Sequence, residues 1–342
     1  MENVNVKPAT GKLGVLCVGL GAVTSTFIVG TLMARKGLAQ PVGSLTQLAT
    51  MRVGKGKQYK KINEVVSLTN LNDIVFGAWD IFADNAYESA IHAEVLREKD
   101  INPVKEELEA IKPMSAVFDQ NFVKRLHGTH LKEGASRWDL AEQLRVDIRN
   151  FKAANNCERI VIIWAASTEV YLPLSDEHMS LAALEKAMKE NNTEKIAPSM
   201  CYAYAAIAEG CPFIMGAPNL CVDSPAMWEF AKNTNTPIAG KDFKTGQTMM
   251  KTVLAPMLKT RMLGLRGWFS TNILGNRDGK YWMIRILSRL KKLVSSLLLK
   301  QFLTVKNIRS FTATSSTKYV LTIILLATTI KKDGTILISS DG

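Results

Sequence analysis

Residues 12–21 read KLGVLCVGLG, an apolar run that leads directly into two glycines. A continuous apolar run is typical of a strand that is buried on both faces of a parallel sheet. The segment 24–34 that follows has the composition of a helix. Strand, glycine turn and helix in this order open a dinucleotide-binding fold, because glycine lets the backbone approach a pyrophosphate at the helix N-terminus.

Two departures weaken this motif when it is taken alone. Thr24 stands where the third glycine of the G-x-G-x-x-G pattern would be, and no acidic residue lies at the end of an obvious second strand. The glycines by themselves therefore fit a plain tight turn as well as they fit a nucleotide site.

Strand-like and helix-like segments alternate along the rest of the chain. Strands are predicted at 73–80, 157–165, 212–216, 237–239 and 263–269. Helices are predicted at 86–98, 103–110, 138–154, 181–190, 198–209, 225–233 and 251–258. This alternation predicts an α/β fold with a doubly wound, Rossmann-type parallel sheet.

The composition argues against several other classes of protein. The cysteines at 17, 157, 201, 211 and 221 are odd in number and lack a metal spacing such as Cys-x-x-Cys, which predicts reduced thiols in a cytoplasm. His127 and His130 could share a helical face, but no third ligand clusters nearby, so no metal site is predicted. The N-terminus lacks a signal-peptide pattern, and the apolar stretch 319–330 is too short to span a bilayer.

Polar segments follow four of the predicted strands. They are Trp79-Asp80, WAASTE at 164–169, GAPN at 216–219 and GKDFKTGQT at 240–248. Each segment alone is most simply a capped turn. Because ligands collect at the carboxyl ends of parallel strands, four such segments beside the glycine turn favour a nucleotide cleft.

WAASTE, GKDFKTGQT and NILGNRDG at 272–279 resemble, in this order, the motifs of the myo-inositol-1-phosphate synthases. The last two motifs read close to GDDLKSGQT and NHLGNNDG in that family. The resemblance extends from about residue 12 to residue 279, and the combination of motifs is far more specific than any glycine loop. Ala22-Val23-Thr24 and Arg277 depart from the family pattern and resemble its shorter prokaryotic branch.

The resemblance implies an NAD-dependent, redox-neutral isomerase that converts glucose 6-phosphate into myo-inositol phosphate. In that family C5 is oxidised, which makes the C6 protons acidic; the enolate formed by loss of a C6 proton closes onto the C1 aldehyde in an intramolecular aldol reaction, and C5 is reduced again. The resemblance also implies a homotetramer. It divides the chain into an NAD-binding domain at 1–247 and the start of an α+β catalytic and oligomerisation domain at 248–279.

Site residues are likewise implied by the resemblance. The cofactor phosphates would be lined by Gly19, Leu20, Gly21, Ala22, Val23 and Thr24. Asp80 would contact the adenosine end, and the rest of the cofactor would be bordered by Ala165, Ala166, Ser167, Thr168, Gly216, Ala217, Asp242 and Thr245. The implied catalytic residues are Asp242, Lys244, Asn276 and Asp278.

The last 63 residues, 280–342, form a basic tail with eleven Lys and Arg but only Asp333 and Asp341 as acids, which is +9 of the formal net charge of +12. Such a tail is typical of nucleic-acid or membrane binding. This one shows neither aromatic interleaving nor a regular amphipathic face, so neither partner is predicted. The family's catalytic lysines belong to a segment resembling FKTKEVSK, and nothing like it follows Gly279.

The genetic code offers a reason for the change at residue 280. Reading residues 280–284 one base earlier gives Val or Ile followed by Leu-Asp-Asp, and the same shift allows DSFKTK, VRINYYPPR and EGWDN further along. These segments resemble family segments in the correct order. We therefore predict a one-base deletion near the Lys280 codon, either a genuine mutation or a sequencing error, with a truncated second domain and little or no turnover. The alternative is a divergent but real tail.

Three alternatives stay open at this point. An ordinary NAD-dependent dehydrogenase would show net oxidation or reduction of its substrate, unlike a synthase. A non-catalytic NAD-binding remnant would bind the cofactor without turnover. A binder that uses the basic tail would show a steep dependence of its affinity on salt.

Overall fold

The computed structural model describes residues 10–54, 58–243, 246–270, 321–330 and 336–339. The chain divides into two compact units, Met1–Lys241 and Asp242–Gly342. The strands of the first unit are β1 (Lys12–Val18), β2 (Thr50–Val53), β3 (Gln58–Lys61), β4 (Ile74–Asp80), β5 (Met114–Ser115), β6 (Cys157–Trp164), β7 (Phe213–Met215) and β8 (Ile238–Gly240). Its α-helices are α1 (Ala22–Arg35), α2 (Leu45–Leu48), α3 (Ile62–Val65), α4 (Ala86–Ala93), α5 (Glu98–Ile101), α6 (Lys105–Glu109), α7 (Arg137–Ala154), α8 (Leu181–Lys189), α9 (Pro198–Ala208) and α10 (Pro225–Asn233).

The first unit is organised around a six-stranded sheet with the order β5-β4-β1-β6-β7-β8. Every pairing in this sheet is parallel. The chain starts in the middle at β1, moves outward through β4 and β5, and then crosses back to β6 on the other side of β1. This is the strand order of dinucleotide-binding folds, with the reversal between β1 and β6. The predicted doubly wound parallel sheet is confirmed.

Helices cover both faces of this sheet because successive side chains of a strand point in opposite directions. Val15 and Cys17 of β1 lie in a buried cluster with Ile28 and Val29 of α1. On the other face the ring of Phe151, from α7, packs over Gly14 and Gly77 of adjacent strands. A Cβ at Gly77 would lie 2.5 Å from this ring, so the ring can pack here only because glycine has no side chain.

Helix ends explain where the structure departs from the predicted segments. The predicted helix 86–98 stops at Ala93, because Glu94 adopts a left-handed conformation with φ 53°. Asn85 starts this helix by accepting hydrogen bonds from the backbone N–H groups of Tyr87 and Glu88. Helix α4 is therefore a short, well-capped element, and α5 is separate from it.

The segment between α1 and β4 contains elements that the sequence did not predict. Here α2 and α3 are four residues long, and β2 pairs with β3 as an antiparallel hairpin. Nearly all of this segment is exposed or half-buried, and β3 reads Gln-Tyr-Lys-Lys. Because no apolar periodicity marks these short elements, pattern analysis cannot detect them.

The second unit contains α11 (Gly246–Thr260), β9 (Leu265–Ser270), β10 (Leu321–Ile330) and β11 (Ile336–Ser339). Strand β10 pairs parallel with β9 and antiparallel with β11. Helix α11 begins five residues before the predicted segment 251–258. The predicted domain limits at residues 247 and 279 stay predictions.

Candidate functional site

The glycine turn after β1 requires glycine at its first position. Gly19 has φ +90°, and a Cβ there would lie 2.7 Å from the Cα of Ala166. The backbone N–H of Gly19 donates to the carbonyl oxygen of Trp79 at 2.8 Å. The turn is thus held between the ends of β4 and β6, in a conformation that L-residues rarely adopt.

Thr24 occupies the position of the third glycine without disturbing this turn. Its side chain is buried, and its hydroxyl donates to the carbonyl oxygen of Gly19 at 2.6 Å. The hydroxyl is therefore satisfied, and it ties the first turn of α1 back to the glycine turn. The departure from the G-x-G-x-x-G pattern is compatible with a nucleotide site.

The N-terminus of α1 has the properties of an anion site. Gly21 is the N-cap, no side chain caps the helix, and its first turn contains no acidic residue. A Cβ at Gly21 would meet no atom of the described residues within 4 Å, so these residues leave the space in front of the helix open. The partial positive charge of the helix end and its free N–H groups fit a pyrophosphate at this position.

Asp80 ends β4 and supports the glycine turn from the neighbouring strand. Its carboxylate accepts hydrogen bonds from the backbone N–H of Leu20 at 2.5 Å and of Phe82 at 3.0 Å. Burial raises its pKa, and these hydrogen bonds oppose the rise. Because β4 is the sheet neighbour of β1, Asp80 is the acidic residue at the end of the strand beside the glycine turn, where the predicted strand 73–80 places it.

The loops after β6 and β7 lie at the same edge of the sheet as the glycine turn. The backbone N–H of Ala165 donates to Val18 at 2.9 Å, and that of Gly216 donates to Trp164 at 3.0 Å. We call residues 19–24, 165–168 and 216–217 together the nucleotide cleft. The structure brings together these predicted cofactor-binding residues, and each belongs to the first unit.

Glu169 joins the two loops, although it is not one of the predicted site residues. Its backbone N–H donates to Asn219 Oδ1 at 3.1 Å, and its Oε2 accepts from Asn219 Nδ2 at 3.1 Å. Its carboxylate also accepts from the backbone N–H of Ser199 at 2.8 Å and from the Ser199 hydroxyl. We call the two-point contact between Glu169 and Asn219 the clasp.

The environment of Glu169 is unusual for a carboxylate. The residue is 3% exposed, and burial raises its pKa to about 7. The hydrogen bonds from Ser199 and the charge of Arg137 oppose this rise, and Asp119 adds to it. Arg137 is itself buried and forms an ion pair with Asp119.

A family model described as myo-inositol-1-phosphate synthase matches residues 13–338. The chain is 74% identical over 276 residues to inositol-3-phosphate synthase 1 from Bacteroides thetaiotaomicron, an alignment that covers 80% of this chain and 64% of that protein. The chain belongs to the myo-inositol-1-phosphate synthase family. The matched model is that of an NAD-binding domain, and NAD is the cofactor that it implies for this chain.

The chain is also similar to more distant members of this family. Inositol-3-phosphate synthase from Candida glabrata is 34% identical over 299 residues, which cover 78% of this chain and 55% of that protein. The crystal structure of inositol-3-phosphate synthase from Caenorhabditis elegans superposes with a TM-score of 0.81 at 26% identity, covering 88% of this chain and 62% of that one. The chain thus spans roughly 55–64% of the length of these three relatives.

The predicted catalytic residues of the synthase family lie in the second unit or outside the described residues. Asp242 belongs to the second unit and adopts a left-handed conformation with φ 68°. Lys244, Thr245, Asn276 and Asp278 lie outside the described residues. Their predicted roles stay predictions.

Two further observations concern ligands and membranes. Among the described residues, no group of three or more His, Cys, Asp or Glu side chains is arranged to hold a metal ion. His127 contacts Gln120, while the backbone N–H of His130 donates to Ile81.

In the parts of the chain that the structure describes, every helix falls short of the length and apolar character that crossing a membrane requires.

Proposed function

We propose that the nucleotide cleft binds NAD with its pyrophosphate at the N-terminus of α1. The observation that carries this proposal is the open space in front of Gly21, at an uncapped helix end with no acidic residue in its first turn. Ala165–Thr168 and Gly216–Ala217 would border the rest of the cofactor, and Asp80 would hold the turn that carries Leu20. NAD bound here would supply the acceptor and donor of a hydride.

We further propose that this chain derives from an enzyme that converts glucose 6-phosphate into myo-inositol phosphate without net redox change. Membership of the synthase family supports this reaction. Asp242, Lys244, Asn276 and Asp278 would orient the substrate and stabilise the charge that develops on its oxygens. A homotetramer in the cytoplasm is proposed on the same ground, and the five buried free thiols support a reducing compartment.

For the chain as translated we propose NAD binding with little or no turnover. The family's lysine-bearing segment has no counterpart after Gly279, and the basic tail departs in charge from the rest of the chain. The alignment with the Bacteroides protein is 276 residues long, close to the 279 residues before the predicted break. The family model nevertheless matches as far as residue 338, so the gene itself has to be tested.

Three measurements test these proposals in turn. Titration calorimetry of the 342-residue chain with NAD tests the cleft, and we expect 1:1 binding that G21A weakens. Conversion of glucose 6-phosphate, followed with and without added NAD, tests turnover, and rates like those of an intact synthase would overturn the proposed inactivity. Resequencing of codons 278–282 tests the deletion, since an intact reading frame there would exclude it.

A restored frame provides the positive control. Inserting one base near codon 280 should produce a chain that converts glucose 6-phosphate with no net change in NADH absorbance. Stoichiometric formation or consumption of NADH would instead identify a dehydrogenase.

A further inference from the structure

We propose that Glu169 is a positioning residue that fixes the loops after β6 and β7 against the N-terminus of α9, and thereby holds one side of the nucleotide cleft in its NAD-binding shape. The inference rests on the proposed function, because it concerns the same cleft. Glu169 itself belongs to none of the segments predicted to touch the cofactor.

Helix α9 begins without a cap from the side chain of its own N-cap residue. Ala197 is the N-cap of this helix and has no side-chain oxygen to offer, while Pro198 occupies the first helical position. The N–H of the next residue, Ser199, therefore depends on an acceptor from elsewhere in the chain. Glu169 supplies this acceptor at 2.8 Å, and its negative charge also suits the positive end of the helix dipole.

The two hydrogen bonds of the clasp run in opposite directions between Glu169 and Asn219. Asn219 presents its oxygen to the backbone N–H of Glu169 and its NH₂ group to the Glu169 carboxylate. Turning the amide of Asn219 over would place its NH₂ group against that backbone N–H and its oxygen against the carboxylate. Only one orientation satisfies both contacts, so the clasp fixes the loop after β7 relative to the loop after β6.

All three residues of this hydrogen-bond network are buried. Ser199, Asn219 and Glu169 are 1%, 3% and 3% exposed, so water does not replace a lost partner. A buried polar group without its partner carries the full cost of its desolvation. The position of Ala165–Thr168 and Gly216–Ala217 therefore depends on complete pairing in this network.

The test exploits the polarity of the clasp. E169Q places an NH₂ group opposite either the NH₂ group of Asn219 or the backbone N–H of Ser199, and N219D places two carboxylates opposite each other. In the double variant E169Q/N219D the amide donates to the carboxylate, which also accepts the backbone N–H of residue 169. Both contacts of the clasp are then restored, and donor and acceptor are exchanged only in the contact between the two side chains.

We expect each single variant to weaken the affinity of the full chain for NAD by about tenfold and the double variant to recover most of that loss. E209Q is the matched control, since Glu209 is the C-cap of the same helix and forms ion pairs with Arg145 and Arg149. It should lose stability in urea without losing affinity for NAD. Because E209Q should lower stability alone, a loss of NAD affinity confined to the variants of the clasp separates a role in the cleft from a general loss of stability.

The outcomes separate a failure of the proposed NAD binding from a failure of the proposed role of Glu169. If the wild-type chain does not bind NAD, the proposed function fails and the inference fails with it. If the wild type binds NAD and the single variants bind equally well, or the double variant recovers nothing, the inference alone is wrong. Should E169Q not fold, S199A removes only the hydroxyl contact, and an unchanged affinity for NAD in S199A would contradict the proposal.

Discussion

A half-buried carboxylate, Asp80, and a buried one, Glu169, support the two sides of the nucleotide cleft, and they do so with different partners. Among the described residues, the donors that Asp80 accepts from are backbone N–H groups, those of Leu20 and Phe82 among them. Glu169 accepts one backbone N–H and two side-chain donors, from Ser199 and Asn219. Backbone donors are the same for every sequence, whereas side-chain donors can be exchanged. The glycine side of the cleft is therefore fixed by main-chain geometry, and the other side depends on which side chains are present.

The largest loss of stability should come from a substitution in the glycine turn after β1. In G19A the new Cβ would lie within 3.0 Å of the Ala166 backbone at a φ of +90°, so strain and overpacking should together reduce the free energy of unfolding by about 4 kcal/mol. Urea denaturation measures this loss. G21A is the control, because its Cβ enters open space and should cost about 1 kcal/mol or less while weakening NAD binding. Equal stability of G19A and the wild type would contradict the backbone argument.

The second largest effect is a dependence of the free energy of unfolding on pH, which Glu169 should introduce. Burial raises the pKa of Glu169 from 4.5 to about 7, so its contribution to stability is complete below pH 4.5 and is lost as the pH rises through 7. Over this range the wild type should lose up to about 3 kcal/mol relative to E169Q, which does not titrate at this position. Urea denaturation of both chains from pH 5 to pH 8 measures the difference. If the difference in stability between the wild type and E169Q did not change with pH, the raised pKa of Glu169 would be refuted.

Replacement of the other carboxylate should have a smaller effect. D80N keeps one acceptor oxygen but turns an NH₂ group toward a backbone N–H, which should cost about 2 kcal/mol. The glycine turn should loosen as well, so affinity for NAD should fall together with stability. Thermal unfolding and calorimetry on the same sample measure both, and D84N, at a half-exposed site, serves as the control. Loss of NAD affinity without loss of stability would instead favour the predicted direct contact with the adenosine.

The smallest effect is expected at Thr24. T24V removes the hydroxyl bond to Gly19 while conserving volume, and should cost about 1 kcal/mol. T24S keeps the hydroxyl and should retain most of that energy. Urea denaturation of the two variants separates the hydrogen bond from the packing of the methyl group. A larger loss in T24S than in T24V would show that packing dominates at this position.

Much of this cleft could be predicted from the sequence because its motifs are local. The run at 12–18 gave β1 with its observed bounds, and the segments 164–169 and 216–219 already contained Glu169 and Asn219. Their pairing could not be predicted, since the two residues are 50 positions apart and meet only when β6 and β7 become neighbours. The same holds for Asp80, which reaches Leu20 across 60 residues.

The buried cysteines have a practical consequence. Cys17, Cys157, Cys201, Cys211 and Cys221 are free thiols of the first unit, and burial raises the pKa of each. Alkylating reagents react with the thiolate, so a folded chain should resist them until its sheet opens. Because these five thiols lie on β1, β6, α9 and the segments flanking β7, the order in which iodoacetamide labels them would reveal which part of the sheet opens first.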